Sequence, residues 1–192
     1  MRLIIGISGA SGVIYGIRLL EALRQATGVE THLVISNGGK INIALETHWK
    51  VRDVEALADV AHSDSDVATT IASGSFRAAG MIVAPCSMKT LSAIVNSYAA
   101  NLLARAADVT LKEGRRLVLA PRETPLHSGH LRLMREAALM GAIIAPPVPG
   151  FYAKPASVED VVNHTVGRLM DLFGLDTDLV RRWPGGKEAA QG

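Results

Sequence analysis

Five short stretches of this 192-residue sequence concentrate the side chains able to do chemistry. They are Gly9-Ala10-Ser11-Gly12, Ser36-Asn37-Gly38-Gly39, Pro85-Cys86-Ser87-Met88-Lys89, Arg122-Glu123-Thr124 and Pro149-Gly150-Phe151-Tyr152. Each follows a short apolar run. A glycine loop that opens a helix exposes backbone N–H groups at the positive end of the helix dipole, which suits a phosphate or the polar edge of a ring. The same loop would also serve as a tight turn packing helix on strand, and from the loop alone both readings stand. The pattern is not G-x-G-x-x-G, and Ser36 stands where a dinucleotide fold places an acid for the ribose 2′-hydroxyl. Tyr15, Tyr98 and Tyr152 lack a lysine four residues on, which disfavours a reductase built on a Tyr-Lys pair. A single-phosphate nucleotide such as FMN therefore ranks above NAD.

Charged and metal-ligating residues narrow the chemistry further. Arg105, Asp108 and Lys112 share one helical face, either as a ladder in which Asp108 bridges two cations or as an anion clamp. Arg122 and Glu123 directly follow a buried strand, where a purely structural role for two charges is hard to find. His127 and His130 stand three apart at a helix start, but no further ligand is placed with them and no metal site is expected. His32 alternates along a strand, and His48, His62 and His164 read as surface residues. Cys86 has no histidine partner in the sequence and reads as a small buried residue shaping a turn. Trp183 follows the last helix as a packing anchor or an aromatic lid.

The elements that must position these groups follow from hydrophobic patterning. Strands are expected at 3–7, 30–35, 81–84, 117–120 and 142–145. Helices are expected at about 13–26, 42–49, 87–97, 100–113, 128–140 and 158–173, the last opened by Ser157 as a cap with Glu159 and Asp160 in its first turn. Residues 52–76, with His62-Ser63-Asp64-Ser65-Asp66, read as an exposed excursion. Strands alternating with helices imply a doubly wound, Rossmann-like α/β domain: a mostly parallel sheet with helices on both faces. Ligands bind beyond the carboxyl ends of such strands, where the five chemical stretches fall.

Composition limits the alternatives. Apolar residues make up 48% and charged residues 20%, enough for a full core and too little charge for disorder. Twenty Lys plus Arg nearly balance eighteen Asp plus Glu, and no basic stripe or aromatic platform argues for nucleic acid. One cysteine excludes an internal disulfide. No apolar run is long enough for a signal peptide or a membrane span, so a cytoplasmic, membrane-free protein is expected. Residues 1–192 are expected to form one domain, with a tail from about 175 acting as a lid or subunit contact. A mean hydropathy of +0.24 hints at apolar surface shared between subunits.

The stretch Asn101-Leu-Leu-Ala-Arg105-Ala-Ala-Asp108-Val-Thr-Leu-Lys112-Glu113, continuing through Leu117-Val-Leu-Ala-Pro-Arg122-Glu123-Thr-Pro125, resembles the hallmark of UbiX-type flavin prenyltransferases. Gly6-Ile-Ser-Gly9-Ala-Ser11-Gly12 with Tyr15-Gly16, Pro85-Cys-Ser87-Met-Lys89-Thr90, and Pro149-Gly-Phe151-Tyr152 with Pro155 and Ser157-Val-Glu159-Asp160 agree, so the resemblance runs from about residue 3 to Trp183. It implies transfer of a dimethylallyl group from dimethylallyl phosphate to reduced FMN at N5 and C6, without a metal. The product would serve a UbiD-type decarboxylase. It also implies a homo-oligomer, typically a dodecamer, with sites built where three subunits meet. Carried over, FMN would contact Gly9, Ala10, Ser11, Ser36, Ser87, Met88, Lys89, Thr90 and Arg122. Arg105, Lys112, Glu123, Tyr152 and Arg168 would clamp the prenyl phosphate, and Ser11, Glu46, Lys112 and Glu123 would be catalytic. Glu46 lies ten residues past Ser36, as in the family pattern. Asn37-Gly38-Gly39-Lys40 departs from it, replacing a basic residue and two small alanine-like ones. Two alternatives remain on sequence grounds: a non-catalytic FMN carrier, which would not need a second cation cluster, and an FMN-dependent cysteine decarboxylase, which would need an active-site histidine in the first third of the chain.

Overall fold

A computed structural model describes residues 1–183 and 185. Six strands form one parallel sheet: β1 (Arg2–Ile7), β2 (Glu30–Ile35), β3 (Val60–His62), β4 (Gly80–Cys86), β5 (Arg116–Pro121) and β6 (Ile143–Ile144), in the order β3-β2-β1-β4-β5-β6. The helices are α1 (Ile14–Leu23), α2 (Asn37–Glu46), α3 (Val51–Glu55), α4 (Met88–Val95), α5 (Leu102–Lys112), α6 (Ser128–Leu139) and α7 (Val158–Asp171). The doubly wound parallel architecture expected from the sequence is the one formed. The strand order reverses between β1 and β4, which opens the crevice where such sheets bind ligands. The strands read as unbroken apolar runs because both faces are covered. Ile4, Val34, Met81, Val83, Leu117 and Leu119 on one face are buried in a cluster with Leu91 and Ile94 of α4, Leu103 and Ala107 of α5, and Leu133 of α6.

Three local expectations change. Residues 52–76 are largely exposed, as expected, but not irregular: they hold most of α3, the edge strand β3 and a 3-10 turn at Thr70–Ala72 with Ile71 buried. A three-residue, half-exposed edge strand carries no periodicity to read. Asp64 is buried, not exposed, because it anchors the start of α5: its Oδ1 accepts the Leu103 N–H (3.1 Å), its Oδ2 the Asn101 side-chain amide (2.9 Å) and its carbonyl the Leu102 N–H (2.8 Å). Helix α2 begins five residues earlier than its periodicity suggests. Ser36 caps it by accepting the Gly39 N–H at 3.1 Å, and the two glycines of its first turn hid the start.

The chain divides into two compact units, Met1–Pro147 and Val148 onward. The second holds a 3-10 turn at Phe151–Ala153 and α7, which opens on the expected Ser157 cap, closed reciprocally by Asp160 as a capping box. Of the expected tail element, residues 184 and 186–192 lie outside the described residues.

Candidate functional site

The carboxyl ends of β1, β2 and β4 converge on a cavity of about 660 Å³, within the usual range of small-molecule sites. Gly9, Ser36, Gly38, Ser87, Lys89, Thr90 and Asn101 are among its lining residues. Three helix N-termini border it, those of α2, α4 and α5: the first two are capped by serines, Ser36 as above and Ser87, which accepts the Thr90 N–H at 3.2 Å, and the third by Asn101. Their dipoles and Lys89 make this end of the crevice attractive to an anion. The buried Ser8 ties two of the loops together. Its hydroxyl donates to the Pro85 carbonyl (2.9 Å) and accepts the Ser87 N–H (2.7 Å).

The glycines of this wall are imposed by contact. A Cβ on Gly9 would lie 2.8 Å from the Gly38 Cα, one on Gly38 2.9 Å from the Gly9 Cα, and one on Gly39 2.6 Å from the Ile7 carbonyl oxygen. The Asn37-Gly38-Gly39 departure thus lets the start of α2 lie directly on the β1 loop. The cavity's volume, its serine-capped helix N-termini and Lys89 fit a flavin mononucleotide.

Glu46, at the far end of α2, returns to the same loop. Its Oε2 accepts the Gly12 N–H at 2.8 Å, one residue from the exposed Ser11. Gly12 needs its glycine, with φ +96° and the Tyr15 ring 3.1 Å from where a Cβ would stand. Burial raises the pKa of the Tyr15 phenol, an effect that the charge of Arg122 partly offsets. The Arg122 side chain is exposed, and the residue's backbone N–H donates to the Cys86 carbonyl at 3.1 Å. Glu123 accepts the neighbouring Thr124 N–H at 3.0 Å. Ala10 donates to the Ser8 carbonyl at 2.9 Å, and Met88 turns its side chain into the core.

Arg105 and Lys112 both face the segment after the 3-10 turn at Thr70–Ala72. Arg105 donates to the Ala72 carbonyl (3.2 Å) and pairs with Asp108 (2.9 Å), whereas Lys112 pairs with Glu113, beside Gly74. Asp108 therefore holds one cation, not two. Glu113 is kept below the usual carboxylate range by its bond to Lys112 and the Lys112 charge. In the second unit, Tyr152 bonds His164 at 3.2 Å, and Arg168 pairs with Asp171 at 2.6 Å.

Sequence reasoning missed Asp64, Tyr98 and Tyr15 as neighbours of the site. Asn101, placed inside the helix expected from residue 100, is instead its N-cap and accepts the Ala104 N–H at 3.0 Å. Two histidines expected at the surface are internal. His62 is half-buried, bonding His32 (3.0 Å) and Thr69 (2.8 Å), and His164 is buried beneath Tyr152. Cys86 is fully buried, and burial pushes its thiol up to about 12, which makes it the inert residue expected. The His127 and His130 rings lie 3.6 Å apart at a tilt of 31°, and His127 Nδ1 accepts the Gly129 N–H. Among the described residues no group of three or more His, Cys, Asp or Glu could hold a metal ion, and no helix is long and apolar enough to cross a membrane.

A 3-2-1-4-5-6 parallel sheet with a glycine-walled cavity beside its switch point defines a nucleotide-binding α/β fold, and residues 1–170 match the family model described as Flavoprotein, which makes the chain an α/β flavoprotein. The chain is 59% identical over 186 residues to the flavin prenyltransferase UbiX of Escherichia coli K12, covering 96% of this chain and 98% of that one. A structure of a dodecameric FMN-dependent UbiX-like decarboxylase from Escherichia coli O157:H7 superposes with a TM-score of 0.95 at 54% identity, covering 96% of this chain and all of that one. A structure of AnUbiX in complex with FMN and dimethylallyl pyrophosphate superposes with a TM-score of 0.94 at 51% identity, covering 96% and 98%. The chain belongs to the UbiX flavin prenyltransferases, the family its motifs resemble.

Proposed function

We propose that this chain transfers a dimethylallyl group from dimethylallyl phosphate to N5 and C6 of reduced FMN, closing a fourth ring for use by a UbiD-type decarboxylase. The observation that carries the reading is the 2.8 Å bond from Gly12 N–H to Glu46. It sets a carboxylate from the end of α2 beside Ser11, on the loop whose Gly9 lines the cavity. Reduced FMN supplies the nucleophilic nitrogen and, at C6, the nucleophilic carbon. Gly9, Ala10, Ser11, Ser36, Ser87, Met88, Lys89, Thr90 and Arg122 would hold it, with Lys89 and the α2 and α4 termini countering its phosphate.

The residues divide the remaining work. Breaking the allylic C–O bond leaves the electron pair on the departing phosphate. Arg105, Lys112, Tyr152 and Arg168 stabilise that charge by charge-assisted bonds in place of a metal. Ring closure joins C6 to the prenyl group by using up its remaining double bond. C6 loses a proton and the adjoining alkene carbon gains one; Ser11 and Glu46 would relay that proton. Glu123 and the released phosphate are further acceptors for the proton lost in ring closure. Because the α5 cations are held by acids of their own chain, the clamp is completed across subunits, and we expect a dodecamer whose dissociation abolishes turnover. We place the reaction in the cytoplasm, and read both units as parts of one flavoprotein domain.

Mass spectrometry of the bound flavin after incubation with reduced FMN and dimethylallyl phosphate tests the reading. The expected product is heavier by one five-carbon prenyl unit, with EDTA present or absent. Lys112→Ala should stop the reaction before any carbon–nitrogen bond forms. An unchanged flavin, or turnover abolished by EDTA and restored by magnesium, would overturn it.

A further inference from the structure

The second unit contains a polar pair that the mechanism above leaves half explained. His164, on the inward face of α7, is only 8% exposed. Its Nε2 lies 3.2 Å from the Tyr152 hydroxyl, and the two rings meet edge to face at 5.4 Å. Its other nitrogen, Nδ1, is buried with no hydrogen-bond partner among the described residues. Gly150 is shaped around the pair. A Cβ there would lie 2.7 Å from His164 Nε2 and 3.2 Å from the Tyr152 ring, at a φ of −94° that any residue adopts, so contact rather than backbone freedom calls for glycine.

The orphaned nitrogen decides the tautomer. A proton on Nδ1 would bury an N–H with no acceptor, an arrangement that is rare in folded proteins, whereas a bare Nδ1 leaves only a weak acceptor unmet. The neutral ring therefore carries its proton on Nε2 and donates to the Tyr152 oxygen. The phenol's own O–H cannot then be spent on His164 and is free to point elsewhere. Tyr152 is 44% exposed, its ring held edge-on by Trp183 at 5.7 Å, so the O–H has room to meet a ligand.

We propose that His164 is a positioning residue: by donating Nε2–H to Tyr152 it commits the tyrosine O–H to donate to the phosphate of the prenyl donor. The inference rests on the reading of Tyr152 as part of the phosphate clamp. It predicts that His164 acts on donor binding and not on FMN, and only through Tyr152.

The test combines kinetics with a direct view of the proton, using the full-length chain loaded with FMN. In His164→Phe, KM for dimethylallyl phosphate should rise about tenfold, the worth of one hydrogen bond to a charged partner, with kcat and FMN affinity near native. His164→Gln, which keeps an N–H donor at that reach, should restore KM to within about twofold. In a Tyr152→Phe background, His164→Phe should add no further change. Nitrogen-15 shifts of the His164 ring should report protonation at Nε2. A proton on Nδ1, an unchanged KM in His164→Phe, or full additivity with Tyr152→Phe would overturn the proposal. A wild-type chain that makes no prenylated flavin would instead overturn the phosphate assignment itself, and the nitrogen shifts would still decide the His164–Tyr152 bond.

Discussion

Gly16→Ala sets two opposing effects against each other at the base of the flavin site. Gly16 is buried in α1, the helix that leaves the glycine loop. On helix propensity alone, alanine should stabilise by about 1 kcal/mol. Packing says otherwise. The new Cβ would stand 2.4 Å from the Ala84 carbonyl oxygen of β4 and 2.6 Å from Ile7 Cγ1 of β1, against an ordinary contact of 3.4 Å or more. The obstacle is buried backbone, so α1 must withdraw by about 1 Å, loosening Ile17 and Leu20, which are fully buried. Overpacking of this kind costs about 1–3 kcal/mol and the loosened contacts add to it, so the net is a loss of about 1–3 kcal/mol. In a chain of this size that lowers Tm by roughly 3–10 °C. The Gly9–Gly12 loop moves with the helix, and FMN affinity should fall about tenfold or more, since a 1 Å displacement of a binding group is costly. Thermal unfolding without ligand and fluorescence titration with FMN measure the two effects. A variant with a raised Tm and native affinity would refute the reasoning, because propensity would then have won.

Three other outcomes are expected. Glu46→Gln still accepts the Gly12 N–H and should bind FMN with near-native affinity, yet form completed product about 100-fold more slowly; native turnover would remove Glu46 from the proton relay. Cys86, its thiol pushed up to about 12 by burial, should resist iodoacetamide at pH 8 in the native chain and react once unfolded; stoichiometric labelling of folded protein would contradict this. The Asp59 carboxylate accepts the Thr31 N–H (2.7 Å) and hydroxyl (2.9 Å), bonds that hold its pKa below the ordinary 3.8. Its contribution to stability is complete above that value and is lost as pH falls through the depressed one. Tm of the wild type should therefore drop more steeply below pH 3.8 than that of Asp59→Asn, and parallel acid limbs would exclude the linkage.

The strands and the long helices were legible in the sequence because their signals are local. Leu3–Ile7 and Leu117–Ala120 are apolar runs covered on both faces, and α7 carries its cap, Ser157, one residue before the first turn. The strand-end residues that line the cavity, among them Gly9, Ser36, Ser87 and Lys89, were equally legible, since a parallel sheet fixes where its strand ends point. Glu46 was assigned only through the family pattern, and no local rule brings the end of α2 back to Gly12. Tertiary structure alone decided the rest. Asp64 sits in a polar run that looks solvated, and only the arrival of α5, some forty residues later, gives its carboxylate the N–H groups that make burial favourable. Gly38 and Gly39 read as a weak helix start until Gly9 and Ile7 are laid against them, because an excluded volume is a property of two backbones and is written in neither. His164 reads as a surface residue until Tyr152 and Gly150 close over it, for a side chain's burial depends on what the rest of the chain brings to it.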